Sequence, residues 1–362
     1  MTAAKLYTIE DLLAGLDPKG KMSYLTTFDF RQFAGFVRAG GSAPRDLQDR
    51  LAQTTHDAGI AQGLQDYILI GKPLVGIMGS HSTARSDASF RMTADLCRRL
   101  SREGFLIATG GGPGAMEAGH FGAWFANASD GAYEAGLAEI GTVPRIPNFD
   151  GLLDDAGVMV PGKEPVVEQA HDWLMAALRA RDLVDADPGE SVAIATWLYG
   201  AEPTMPFATA YAKYFQNSIR EEALVHGASA GIVYARGGGG TIREIFQDVE
   251  QNYYARSVAE FTPMIFVDPD GYWSRDATFE NGDLEHGKVQ TKGLKLDEQM
   301  RKIFALSLNE AMRPECLAKV RFTTDFDEIV AILRAHMPAA THFMSLLAKG
   351  VDSRLLSGRF SR

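Results

Sequence analysis

The chain of 362 residues lacks the features that mark secreted, membrane-spanning and nucleic-acid-binding proteins. Its two cysteines, Cys97 and Cys316, stand far apart and outside any metal-binding pattern, so we expect reduced, buried thiols. No apolar run approaches the ~18 residues of a transmembrane helix, and the charged N-terminus has no signal-peptide core. The 36 basic residues are outnumbered by 46 acidic ones, and the net charge of −10 disfavours nucleic acid and anionic membranes as partners. We therefore expect a globular, cytoplasmic protein.

Short apolar runs that alternate with helical segments begin near residue 73. Five runs have the length and composition of buried strands, at 74–78, 105–108, 192–196, 231–234 and 263–267. Further elements are predicted as helices at 206–226 and 242–254 and as a late strand at 319–323. The alternation is typical of an α/β fold, and we expect a Rossmann-like, doubly wound parallel sheet.

The segments outside this alternation are predicted to be additions to it. Residues 1–66 form a helical N-terminal extension, in which Thr8 and Asp11 can cap a first helix and a second runs from about 44 to 67. The nucleotide-binding domain covers 67–336 and carries an insertion at 129–188, which contains a helix near 166–183. The tail at 337–362 is basic and weakly patterned.

Three small-residue turns follow predicted strands and open predicted helices: Gly79-Ser80, Gly110–Gly114 and Gly237–Thr241. In a parallel sheet such turns lie at the carboxyl edge, where ligands bind. The N–H groups at a helix N-terminus attract anions, and glycine lets an anion approach the backbone closely. These turns therefore predict a phosphate site, although glycines that only make tight turns are the alternative. Neither a P-loop nor a dinucleotide-binding fingerprint fits the spacing.

The helix after the last of these turns carries a candidate catalytic carboxylate. Its apolar residues recur at helical spacing and predict one buried stripe: Ile242, Ile245, Phe246, Val249 and Tyr253. Glu244 lies on the opposite face, in what we predict to be the first turn. A first-turn carboxylate also stabilises a helix through its dipole, so this position alone leaves both a structural and a catalytic role open.

These residues resemble the motifs of the Lonely Guy family, whose members were once labelled lysine decarboxylases. Gly110–Ala118 resembles the family segment G-G-G-x-x-G-x-M-x, and Gly237–Glu244 resembles P-G-G-x-G-T-x-x-E. Gly79-Ser80 matches the turn after the family's first strand, and Asp270-Gly271-Tyr272 matches its D-G-Y sequence. The four blocks cover roughly 73–275 in the family's order. The additional segments are similar to those of larger bacterial nucleotide 5′-monophosphate nucleosidases.

The resemblance implies hydrolysis of the N-glycosidic bond of a nucleoside 5′-monophosphate, which yields a free base and ribose 5-phosphate. It implies a catalytic pair, Glu244 as general base and stabiliser of the oxocarbenium ion, and Arg220 on the preceding helix, with a one-residue offset in spacing. It requires no metal or other cofactor, and it implies a homodimer or a higher homo-oligomer. The substrate- and phosphate-binding positions that it implies are Gly79, Ser80, His81, Gly111, Gly112, Gly114, Met116, Glu117, Arg236, Gly237, Gly238, Gly239, Gly240 and Thr241.

One departure keeps other functions open, because Arg236 stands where the motif has proline. An arginine there could bind phosphate or change the substrate, and a nucleotide-binding sensor without hydrolysis is the alternative function. The decarboxylase label would require pyridoxal phosphate on a lysine. Lys72 precedes the first strand and Lys213 falls on a predicted helix, so neither supports it.

The remaining candidates carry weaker predictions. His81 could contact base or phosphate, and Arg85 is equally compatible with a phosphate contact and with a solvated loop. We expect His120 to be a packing or surface histidine, and the segment His171–Trp173 of the insertion to have a structural role.

Overall fold

The computed structural model describes residues 5–69, 72–198 and 203–347 and has the expected α/β architecture. The strands are β1 (Leu74–Met78), β2 (Leu106–Thr109), β3 (Ser191–Thr196), β4 (Ala210–Tyr214), β5 (Gly231–Tyr234), β6 (Met264–Val267), β7 (Thr278–Phe279), β8 (Val289–Thr291) and β9 (Val320–Thr323). The helices are α1 (Ile9–Leu12), α2 (Phe28–Ala39), α3 (Leu47–Leu69), α4 (Ala88–Arg102), α5 (Ala115–Trp124), α6 (Asp130–Gly141), α7 (Glu164–Arg181), α8 (Asn217–Gly227), α9 (Gly239–Tyr253), α10 (Leu296–Ser307), α11 (Arg313–Ala318) and α12 (Phe326–Leu347). Among the described helices, none is both long and apolar enough to cross a membrane.

The chain divides into two compact units. Unit 1 comprises Met1–Lys72 and His81–Gly227, and unit 2 comprises Pro73–Ser80 and Ala228–Arg362. Strand β1 therefore belongs to unit 2, although it lies between two segments of unit 1 in the sequence.

In unit 1 three strands pair in parallel in the order β2-β3-β4. All residues of these strands are buried, as expected for a parallel sheet covered on both faces. A cluster of buried aromatic side chains continues this core into the N-terminal extension and the insertion; it includes Tyr24, Phe121, Phe125, Trp173 and Trp197. The extension and the insertion thus share one hydrophobic core with the β2-β3-β4 strands.

In unit 2 four strands pair in parallel in the order β1-β5-β6-β9. The register aligns Met78 with Tyr234 and Tyr234 with Phe266, so the carboxyl ends of β1, β5 and β6 are level. This alignment brings the turns that follow β1 and β5 together: the backbone N–H of Ser80 donates to the carbonyl of Arg236 at 3.0 Å.

The predicted helix over 206–226 is wrong in its first half. Residues Ala210–Tyr214 form β4, and only Asn217–Gly227 are helical, as α8. Lys213 consequently lies on a strand. Its ammonium group is buried and donates to Asp29 at 2.6 Å and to Thr204 at 3.0 Å. A charged residue in a short apolar run argues against a buried strand. Lys213 can occupy such a position only because Asp29, from the distant helix α2, pairs with its charge.

The chain contains more helix than the sequence predicted. The Thr8–Asp11 capping box opens α1 as expected, whereas α2 in the extension, α6 in the insertion, and α10 and α11 before the last strand were missed. Helix α12 continues past Pro338 to Leu347, and the predicted tail beyond it lies outside the described residues. Both cysteines are free and buried, as expected.

Candidate functional site

The turn between β5 and α9 presents an open stretch of backbone in unit 2. Helix α9 begins at Gly239 with Gly238 as its N-cap, so the helix starts inside the glycine run. Its first helical hydrogen bond joins the N–H of Ile242 to the carbonyl of Gly238 at 2.9 Å. The N–H groups of residues 239–241 precede that bond and have no acceptor within the helix. Gly238, Gly239 and Gly240 are exposed, and a Cβ added to any of them would meet no atom within 4 Å.

Gly237 is the closely packed member of this run. A Cβ at this position would lie 2.1 Å from Oγ1 of the buried Thr241. No L side chain fits there unless the turn moves. The turn therefore combines one glycine that packing requires with three that leave space above the backbone, a shape into which an anion fits.

Glu244 lies in the second turn of α9, whereas the sequence predicted the first. The reason is that the helix begins at Gly239, and its first turn contains no acidic residue. The helix-dipole explanation of this carboxylate, which holds for the first turn, therefore loses its basis. Glu244 is half-buried, and its charge contributes to raising the pKa of Tyr234, at the carboxyl end of β5, where burial is the largest cause and Asp248 the next.

The buried face of α9 differs from the predicted apolar stripe. Phe246 and Tyr253 are exposed, at 43% and 41%, whereas Ile245 and Val249 are buried as predicted. The polar residues Asp248 and Asn252 complete the buried face: Asp248 accepts a hydrogen bond from Tyr234 at 2.8 Å, and Asn252 accepts one from the N–H of Thr262 at 2.8 Å. The buried face of α9 is therefore rotated from the one that the apolar residues alone predicted, because Asp248 and Asn252 are buried with hydrogen-bond partners.

Arg236, expected near phosphate, contacts the loop that follows β6. Its guanidinium forms an ion pair with Asp270 and lies over the ring of Tyr272, 4.5 Å from the ring centroid. Tyr272 donates its hydroxyl to the carbonyl of Gly237 at 3.1 Å. The D-G-Y sequence is thus attached to the glycine turn.

The glycine turn of unit 1, Gly110–Gly114, is buried, in contrast to the exposed turn of unit 2. Gly111 has φ +74°, and a Cβ there would lie 2.8 Å from the Cβ of Ala193. Gly114, with φ 72°, is the N-cap of α5, and Gly112 and Met116 are buried beside it. Packing against β3 accounts for the glycine at position 111.

His120, on α5, is a packing histidine, in agreement with one of the two predicted environments. Its ring is fully buried and lies 2.8 Å from the hydroxyls of Thr109 and Ser191. Burial lowers the pKa of His120 to about 3, so the ring is neutral at pH 7.

Glu117 and Arg85 form a buried ion pair, an arrangement that the sequence did not predict. Arg85 donates to both carboxylate oxygens of Glu117 and to the carbonyls of Val143 and Trp173. Its guanidinium lies 4.2 Å from the centroid of the Trp173 ring. Arg85 is therefore neither a solvated loop residue nor an uncompensated phosphate ligand, and Glu117 holds the segment 81–85 against α5.

A pocket of about 380 Å³ opens beside this ion pair in unit 1. It brings together three of the predicted site residues, His81, Gly114 and Glu117. Arg85, Arg145, Asn148, Asp150 and Trp173 also line it, and the charges of its two arginines are matched by those of Glu117 and Asp150. The wall is polar but balanced in charge, which favours a neutral hydrogen-bonding group over a free anion.

The other candidates lie in separate surroundings. Arg220, on α8 of unit 1, is 5% exposed. His171 is buried and lies 3.3 Å from the carbonyl of Asp17, Asp172 pairs with Lys21, and Trp173 belongs to the core, which agrees with the structural role predicted for this segment. Lys213 is enclosed by Asp29 and Thr204, so its amine is already occupied.

Among the residues that the structure describes, no group of three or more His, Cys, Asp or Glu side chains is placed to hold a metal ion. Comparison of the chain with family models and with curated proteins finds no match. The fold and the arrangement of these residues therefore carry the functional argument.

Proposed function

We propose that this protein hydrolyses the N-glycosidic bond of a nucleoside 5′-monophosphate. The observation that carries the proposal is the exposed backbone of Gly238–Gly240 at the start of α9, with the half-buried carboxylate of Glu244 one turn further along the same helix. One element thereby offers an anion site and a carboxylate at a fixed separation. The resemblance of Gly110–Ala118 and Gly237–Glu244 to the two glycine motifs of the Lonely Guy family supports this choice of substrate.

The 5′-phosphate would bind at the N-terminus of α9. The N–H groups of residues 239–241 and the positive end of the helix dipole provide the attraction. The glycines leave the space that the phosphate oxygens need. Binding energy from this remote group would position the ribose and contribute to catalysis.

Glu244 would act on the sugar. Cleavage of the bond between C1′ and the base nitrogen develops positive charge on the ribose ring, which a nearby carboxylate stabilises. The carboxylate also removes a proton from the attacking water; the water oxygen bonds to C1′, and the base leaves with the electron pair and takes up a proton. For Arg220 we propose a second catalytic role, since it matches the arginine of the family's pair with a one-residue offset.

Release of free base from AMP, GMP, CMP and UMP, with formation of ribose 5-phosphate, tests the proposal directly. We expect Glu244→Gln to reduce turnover by about 10²-fold or more with nucleotide binding largely retained, because the amide can neither accept the proton nor neutralise the charge. Glu250→Gln, an exposed carboxylate on the same helix, is the matched control. Arg220→Lys tests the arginine separately. An intact wild-type protein that releases no base from the four nucleotides would overturn the proposal.

The second candidate function is a nucleotide sensor that binds without hydrolysis. It is favoured by Arg236, which departs from the motif proline and is engaged with Asp270 and Tyr272. Calorimetric binding of a nucleotide with no release of base over hours would support it. Under either proposed function, the ligand is a nucleotide and the protein is expected in the cytoplasm. A homo-oligomer is also expected under both, and light scattering on the purified protein tests it.

A further inference from the structure

Three contacts attach the loop after β6 to the glycine turn of unit 2. Arg236 pairs with Asp270, the guanidinium of Arg236 lies over the ring of Tyr272, and the Tyr272 hydroxyl donates to the carbonyl of Gly237. We call these three side chains, Arg236, Asp270 and Tyr272, the clasp. The clasp holds residues 236 and 237, which lie immediately before the open glycines.

The loop side of the clasp is itself well anchored. Asp268 accepts hydrogen bonds from the N–H groups of Trp273 and Ser274, at 2.9 and 3.1 Å, and the Trp273 side chain is fully buried. Arg275 donates to the carbonyl of Asp270, and Gly271 makes the turn with φ +71°. The clasp therefore connects the glycine turn to a structured loop.

The glycine turn needs such a connection because its open members have no side chains with which to pack. An unrestrained glycine run loses much conformational entropy when its N–H groups are fixed around an anion. Because the clasp already orders the turn in the folded protein, the entropy lost when the ligand binds is smaller. The proline of the related motif would restrict the same position through its fixed φ.

We infer that Arg236 is a positioning residue, which acts with Asp270 and Tyr272 to preorganise residues 237–241 for the phosphate group of the ligand. The inference rests on the proposed phosphate site at α9. In this chain a side-chain clasp takes the place of the motif proline. Arg236 thereby assists phosphate binding through the turn, with its own charge directed to Asp270.

The competing role for Arg236 is direct contact with phosphate, for which Asp270 would be a competitor. The two roles predict opposite effects of Asp270→Asn. If Arg236 binds phosphate, removal of the competing carboxylate frees the guanidinium and tightens binding. If the clasp positions the turn, the same change loosens it and weakens binding.

Calorimetric binding of ribose 5-phosphate to the full chain tests this, with inorganic phosphate as a second probe. We expect Arg236→Ala and Asp270→Asn each to weaken binding about three- to ten-fold, the range for an exposed ion pair combined with a cation–π contact. Tyr272→Phe should weaken binding by a similar factor for a different reason, because it keeps the ring and removes the hydroxyl's hydrogen bond to the carbonyl of Gly237. The double variant of Arg236 and Asp270 should lose little more than either single variant, because the contacts form one unit. Arg236→Pro should regain part of the loss. Arg321→Ala, which breaks another exposed ion pair of unit 2, is the matched control and should bind like the wild type.

If the protein hydrolyses nucleotides, the same variants should raise KM while kcat changes less than two-fold. Tighter binding by Asp270→Asn, or full additivity in the double variant, overturns the clasp. A wild-type protein that binds neither ribose 5-phosphate nor inorganic phosphate overturns both the clasp and the phosphate site. Binding that follows the expected pattern without any hydrolysis supports the clasp and removes the proposed enzymatic function alone.

Discussion

Gly240→Ala separates the role of the glycine turn in folding from its role in binding. Residue 240 lies in the first turn of α9, has space around its Cα and does not have a positive φ. Alanine is favoured over glycine within a helix by about 0.5–1 kcal/mol, so the variant should be as stable as the wild type or more stable. A gain of that size raises the melting temperature by only about 1–4 °C in a protein of this length.

The same methyl group should impair ligand binding. Side chains on a helix tilt toward its N-terminus, so the added Cβ points toward the end of α9 where the phosphate is proposed to bind. We expect ribose 5-phosphate binding to weaken at least ten-fold, and base release to fall with it. Urea unfolding and calorimetry on one preparation give both quantities.

Two further glycine variants serve as controls. Gly141→Ala, at the end of α6, also adds a methyl group into open space and should leave binding unchanged. Gly237→Ala places its Cβ 2.1 Å from Oγ1 of Thr241 and should cost about 1–3 kcal/mol of stability, as overpacking does. A Gly240→Ala protein that is stable and binds the phosphate as the wild type does would refute the proposed anion site.

Two more predictions concern unit 1 and unit 2 as folded structures. Since the pKa of buried His120 and His336 is lowered to about 3, below the unfolded value of about 6.5, the stability they support is complete above pH 6.5 and is lost as the pH falls. At pH 5 the loss in the free energy of unfolding is about 2 kcal/mol per histidine, and urea unfolding at a series of pH values should detect it. His120→Gln should reduce the dependence of that free energy on pH, whereas His286→Gln, at an exposed position, should leave it unchanged. Glu117→Ala should destabilise the protein by about 3–5 kcal/mol, because it leaves the buried guanidinium of Arg85 without a carboxylate partner. The double variant Arg85→Met/Glu117→Leu should recover part of that loss. An unaltered urea midpoint in Glu117→Ala would contradict the importance of the buried pair.

Short apolar runs and glycine turns predicted the framework of the fold well. The strands that became β1, β3, β5 and β6 were expected within one residue of their bounds, because each is buried along its whole length and reads as a continuous apolar run. The turns after β1, β2 and β5 also lie where the sequence indicated. These features depend on local composition, which a single sequence shows directly.

The features that sequence reasoning missed depend on pairs of distant residues. Strand β4 was hidden by Lys213, whose charge is matched by Asp29 on α2. The buried environment of Arg85, which lies in the turn before α4, was missed because its partner Glu117 lies on α5, 32 residues further along the chain. The start of α9 was misplaced because glycine is a poor helix former, so the run at 239–240 indicated a turn. A charged residue in an apolar segment was the one available signal, and it did not reveal which residue pairs with it.

The position of β1 has a consequence for how the molecule is made. The hydrogen-bonding partner of β1 in unit 2 is β5, with Val75 aligned to Gly231, so this strand leaves the ribosome long before its neighbour is synthesised. The pairing of β1 with β5 therefore closes roughly 150 residues of intervening chain and has a high contact order. A fragment that begins at residue 228 would leave one edge of β5 unpaired. A separately produced unit 2 therefore needs the 73–80 segment, which can be joined to residue 228 by a linker, moved by circular permutation or added as a peptide.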